Sequence, residues 1–183
     1  MSKKAALEDH SPLTLGQLIR EDWETHGRAL SSPGLHALVL HRVGVWAIRR
    51  PALIRLPVRA VYAALNKMLI RNVYGVEIAW STVIGRRLRI GHHQGVILGY
   101  DTVIGDDCLV RQNLTLGQSN DEGRKQDQPV VGDRVEFGAG ATVIGPVRIG
   151  DGARIGPGAV ITTNVPAGAT AFATPARVLK MQT

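Results

Sequence analysis

Two neighbouring imidazoles, His92 and His93 in the segment Gly91-His92-His93-Gln94-Gly95, are the side chains of this sequence best suited to chemistry. A neutral imidazole takes up a proton near neutral pH, so a general base, a metal ligand and an exposed bystander are all open to them. The metal role ranks below the base. A zinc site of the kind some β-structures use needs three converging histidines, whereas His10, His26, His36 and His41 all lie far upstream, and consecutive residues on a strand face opposite sides. No metal is therefore expected. The second polar exception is QSNDEGRKQDQ at 118–128, which reads either as a solvated insertion or as an arm that covers a cleft, loops on a rigid scaffold being frequent carriers of function.

Both segments interrupt a six-residue repeat. From Val131 the chain runs VGDRVE, FGAGAT, VIGPVR, IGDGAR, IGPGAV, ITTNVP, each hexad opening on an aliphatic or aromatic residue. The fifth position is always small or branched and apolar: Val135, Ala141, Val147, Ala153, Ala159 and Val165. An earlier run, IAWSTV, IGRRLR and IGHHQG from Ile78, then LGYDTV, IGDDCL, VRQNLT and LGQSND from Leu98, keeps the rule apart from a two-residue slip after Gly95. A period of six fits neither an amphipathic strand nor a helix. Two inward positions in six make a prism, and hexapeptide periodicity marks a β-helix whose coils bury their faces only by stacking. Cys108 occupies a fifth position, so it is expected in the core rather than as a nucleophile.

The stretch before the repeats is helical in character, giving a cap over 1–76 and a β-helix over 77–183 with the 118–128 loop and a C-terminal tail. Thr14 to Gln17 and Ser32-Pro33 offer helix starts, and Leu35, Leu38, Val39, Val43 and Trp46 form an apolar stripe until Pro51. A third segment from about Ala52 to Asn72 is apolar but carries Arg55, Arg59, Lys67 and Arg71, so it lacks the apolar run of a membrane span. Residues 1–76 hold 11 Lys+Arg against 5 Asp+Glu, so the excess charge sits on the cap. That reads as a solvated helix face or as peripheral contact with an acidic surface. Nucleic acid is not expected, since no aromatic stacking platform accompanies the charge. Met1 to Asp9 lacks the apolar stretch of an export signal, which makes the cytoplasm the expected compartment.

With these motifs in order, the chain resembles the serine O-acetyltransferases of the hexapeptide acyltransferase superfamily, over roughly Leu15 to Lys180. PGLHALVLHRVG is similar to their SGxHAxxxHRxxH segment, YGVEIAWSTVIGRRLRIGHHQGVILGYDTVIGDDCLVRQNLTLG to their GxxIHPxAxIGxxxxIDHxxGxVIGExxxIGxxVxxxQxVTLG, and VPAGATAFATPARVLK to their closing VPxxxxxxGxPARxV. The resemblance implies a mainly β fold, a left-handed parallel β-helix with an N-terminal α-helical cap. It implies a homotrimer with sites between subunits, pairing of trimers through the caps being left open, and acetyl-CoA as co-substrate. It places the catalytic base on His92 and its orienting carboxylate on Glu77. Gly117, Ala139 and Pro157 fall on positions lining the pantetheine arm, and Arg177 on the coenzyme-binding tail.

The departures fall on the acceptor side. Where the family's loop ends in Arg-His-Pro, this chain has Asp127-Gln128-Pro129; Gly91 replaces an aspartate, His93 stands where the motif has no histidine, and the cap lacks an Asp-Pro-Ala. Asp127, Gln128 and His93 are thus the acceptor-site candidates. Each lost charged hydrogen bond to a zwitterion costs about 1.5–3 kcal/mol. The expected activity is acetyl transfer of the serine acetyltransferase type. A saccharide hydroxyl as acceptor, as the resemblance to an exopolysaccharide-cluster subgroup implies, and a non-catalytic trimeric scaffold are the alternatives. The chain stops at Met181-Gln182-Thr183 rather than in the family's terminal isoleucine, which argues against a sulfhydrylase partner.

Overall fold

A computed structural model describes residues 13–119 and 127–176. The hexads fold into short parallel strands that stack into three sheets. One holds β1 (Val76–Ile78), β4 (Val96–Leu98), β7 (Thr115–Gly117), β10 (Thr142–Ile144) and β13 (Val160–Ile161). The next holds β2 (Val83–Ile84), β5 (Val103–Ile104), β8 (Val130–Val131) and β11 (Arg148–Ile149). The third holds β3 (Arg89–Ile90), β6 (Leu109–Val110), β9 (Glu136–Phe137), β12 (Arg154–Ile155) and β14 (Thr170–Ala171). Every third strand pairs in parallel with its predecessor, as in Val76 with Val96 and Arg154 with Glu136, so the chain winds as a three-sided parallel β-helix.

The inward residues are those the hexads nominate. Val131, Phe137, Val143, Ile149 and Ile155 open their hexads buried, and Val135, Ala141, Val147, Ala153 and Ala159 fill the alternate position. Cys108 is among them. Burial pushes its thiol up to about 12, which removes the thiolate a nucleophile would need and makes it a small core residue.

Three helices close the open first coil. Helix α1 (Leu15–Thr25) starts at a capping box between Thr14 and Gln17, and α2 (Pro33–Ile48) at Ser32, whose hydroxyl accepts from Leu35 N. Gly34 lies so close to the third sheet that a Cβ there would stand 2.8 Å from both the Cβ and the carbonyl oxygen of Ile90. Buried polar contacts complete the junction. Arg42 pairs with Asp22 at 3.1 Å and donates to Ile84 O and Gly85 O, while the backbone N–H of Ile90 donates to His26 Nε2.

The third cap segment differs from the single helix its sequence suggests. Helix α3 (Ala52–Leu65) contains no buried residue, and the chain continues as one wider π-helical turn over Asn66–Arg71. The wider turn changes the angular phase of the residues that follow, and Ile70 joins the core above the first coil.

Candidate functional site

The corner leading from the third sheet back to the first carries residues 91–95, 111–114, 138–141 and 156–159 on successive coils. His92 and His93 stand on its first level, Ala139 and Pro157 on its third and fourth. Backbone bonds run down the edge: Asn113 N donates to Gln94 O at 2.8 Å, Gly140 N to Gln112 O at 2.9 Å, and Gly158 N to Ala139 O at 2.9 Å. With coils spaced like neighbouring strands, the level of Ala139 lies about 10 Å from that of His92.

The register slip resolves into this same corner. Eight residues separate Arg89 from Ile97, whereas six separate their partners Leu109 and Thr115. The extra length lets the chain swing outward, and His92 ends exposed, with no hydrogen bond or ring contact among the described residues. The corner returns through Gly95, at φ +71°, where a Cβ would lie 2.3 Å from Asn113 Oδ1, so any side chain there would be strained and would have to displace Asn113.

His93 is held differently. Its ring meets Tyr74 edge to face, centroids 5.9 Å apart at 74°. Tyr74 is anchored in turn: its hydroxyl lies 3.1 Å from His36 Nδ1, and His36 Nε2 lies 2.6 Å from Leu30 O. A carbonyl only accepts, so Nε2 carries a proton; in the neutral ring Nδ1 is then the acceptor and Tyr74 donates. Sequence spacing singled out neither His36 nor Tyr74, because helix α2 and the lead into β1 meet only in the folded chain.

Glu77 lies outward on β1, in register with Ile97. Its carboxylate pairs with Arg71 at 3.2 Å, and among the described residues it makes no hydrogen bond to His92. The carboxylate–imidazole pair implied by the resemblance is thus not formed here, Arg71 on the cap's wide turn having taken the carboxylate.

The other polar exceptions fall on the opposite edge of the first sheet. Gly117 ends β7 at the turn toward the second sheet, and a Cβ there would meet nothing within 4 Å. The 118–128 segment leaves from this edge and returns through Asp127, half-buried, and Gln128, buried. Gln128 Nε2 donates to Gln118 Oε1 at 2.7 Å, clasping the loop's neck, and its Oε1 is buried without a partner among the described residues. The Gln128 amide nitrogen is thus engaged with Gln118. Ala139 and Pro157 line a groove of about 320 Å³ with Arg111, Glu136 and Arg154, whose two guanidinium groups suit phosphate oxygens. Gly117 is not part of that groove, and Arg177 lies outside the described residues.

Residues 128–163 match the bacterial transferase hexapeptide (six repeats) family. The chain is 42% identical over 147 residues to a serine acetyltransferase of Mycobacterium tuberculosis, an alignment covering 80% of this chain and 61% of that protein. It is 37% identical over 160 residues to a serine acetyltransferase of Helicobacter pylori, covering 87% of each. Among solved structures, soybean serine acetyltransferase complexed with serine superimposes with a TM-score of 0.75 at 31% identity, over 96% of this chain and 72% of that one. The chain thus spans about three fifths of the length of the mycobacterial relative.

Proposed function

Because the chain belongs to the serine acetyltransferase family, we propose that it moves an acetyl group from acetyl-CoA to the hydroxyl of L-serine. The observation that carries this reading is the edge on which His92, an imidazole without a partner among the described residues, stacks above Ala139, Pro157 and their groove. Neutral His92 accepts the proton of the acceptor hydroxyl as its oxygen attacks the thioester carbonyl. The tetrahedral species expels coenzyme A as a thiolate, and the imidazolium returns the proton to that sulfur. No acyl-enzyme is needed. Glu77 is the carboxylate that would steady the imidazolium, a role that requires it to leave Arg71.

The site is completed between copies of the chain. His92 lies on one edge of the first sheet, whereas Gly117, Gln118 and Gln128 lie on the other, separated by a three-residue strand of about 10 Å. A closed trimer sets one copy's first edge against the next copy's second edge, which supports a homotrimer. Release of free thiol from acetyl-CoA with serine present tests the reaction. Absence of turnover, together with no change in melting temperature at millimolar coenzyme A, would return the chain to the scaffold reading.

A second reading keeps the chemistry and changes the acceptor to a saccharide hydroxyl. It is favoured by Asp127 in place of a carboxylate-binding cation, since an aspartate accepts from neutral hydroxyls and repels a carboxylate. Asp127→Arg should then raise kcat/KM for serine. Turnover of saccharides but not serine by the unaltered protein would decide for this acceptor.

A further inference from the structure

From Thr25 to Val76 the chain contains no aspartate or glutamate, while Arg28, Arg42, Arg49, Arg50, Arg55, Arg59, Lys67 and Arg71 supply eight cations. Among the described residues Arg42 spends its charge on buried Asp22 and Arg71 pairs with Glu77 at the surface, which leaves six of the eight cations without an ion pair. Helix α3 lies at the centre of this stretch and rests on the cap through little more than Arg55, Val58 and Tyr62, its three half-buried residues. Leu53 is 87% exposed, Leu56 61%, Val61 57% and, on the following turn, Met68 70%. At about 100° per residue, Leu56, Leu53, Val61, Ile54 and Leu65 fall on one continuous arc, with exposed Arg59 at its flank and half-buried Arg55 on the opposite, cap-facing side. A largely apolar groove of about 1010 Å³ opens beside this arc, between α3 and Trp23, Val39 and Val43 of the other two helices.

We propose that α3 is a docking surface for an anionic phospholipid membrane, lying in the plane of the interface with its leucines among the acyl chains and its cations at the headgroups. The charge decides the occupant. A second copy would bring one acid-free face against another, whereas a bilayer containing anionic lipid offers the opposite sign and an apolar interior together. Long basic side chains beside such a face extend their charge to the phosphates while their stems stay on apolar surface. Among the described residues no helix is long and apolar enough to cross a membrane, so the attachment is peripheral. The inference does not depend on the acetyl-transfer reading.

Co-sedimentation of the full chain with vesicles tests it, using phosphatidylcholine alone and phosphatidylcholine mixed with phosphatidylglycerol. Binding is expected to the mixed vesicles and to fall with added salt. Arg59→Gln and Lys67→Gln should each weaken it roughly fivefold. Leu53→Gln with Leu56→Gln should abolish it while leaving the melting temperature unchanged. Three results would overturn the proposal: no binding to mixed vesicles, equal binding to both kinds, or light scattering in which the double leucine variant breaks up a larger assembly formed by the unaltered chain.

Discussion

His92 and His93 are adjacent, yet among the described residues only His93 has a neighbour to fix it, which separates a group free to move a proton from one that shapes its surroundings. His92→Ala should lower kcat for acetyl transfer by about 10² to 10⁴ with the melting temperature unchanged, the ordinary contribution of a general base. His93→Ala should cost far less. Tyr74 supports this corner through His93, so Tyr74→Leu should reduce kcat more than it raises the KM for acetyl-CoA, and Tyr74→Phe should recover most of the loss because the ring contact survives. Equal effects on the two constants would point to general loosening of the fold. The imidazole pair was legible from sequence because it breaks a strict repeat. The His36–Tyr74 anchor was not, since its partners are 38 residues apart and carry no mutual pattern. The contact between Gln118 and Gln128 was hidden for a related reason: ten residues separate them, and only the fold brings them face to face.

At the scale of elements, the cap is joined to the prism by groups that are buried and titratable. His41 on α2 donates from Nε2 to Thr82 O at 3.1 Å, and its Nδ1 is buried without a partner among the described residues. Burial first, and then the charge of Arg42, lower its pKa from 6.5 to about 4. The unfolded chain therefore binds this proton near pH 6.5 and the folded chain only near pH 4. Stability present above pH 6.5 is lost as the pH falls through that window, by about 3 kcal/mol in all at 1.36 kcal/mol per unit. His26, also lowered by burial, acts in the same direction. In His41→Gln an amide can still donate to Thr82 O, so the variant should melt at a temperature that changes much less between pH 6.5 and 4. An unchanged acid limb in thermal scans would show that other groups govern it. The strands themselves were readable from hexads because both inward positions recur without exception from Val131 to Val165. The division of the third cap segment into α3 and a wider turn was not, since apolar residues continue through both and only contact with the first coil selects Ile70 for burial.

For the molecule as a whole, the separation of polar exceptions onto two edges of one sheet has a consequence that one chain cannot satisfy. On the proposed reading, each complete site takes His92 from one copy and Gly117 from the next. Gly117→Trp should leave the coil intact, because space outside Gly117 is open within its own chain, yet it should obstruct the groove's thioester arm against a neighbour. His92→Ala and Gly117→Trp should each be inactive alone. Co-expressed and assembled together, they should regain activity, since an interface that draws His92 from the tryptophan variant and Gly117 from the alanine variant contains no altered residue. Random mixing into closed rings restores roughly a quarter of the interfaces. The measurement is thiol release by the co-purified mixture, carrying a different affinity tag on each variant, relative to the unaltered protein. If each site were built within a single chain, every site in the mixture would carry one lesion and activity would stay at the level of the separate variants. Recovery therefore reports on where the two edges meet, independently of which hydroxyl the acetyl group finally reaches.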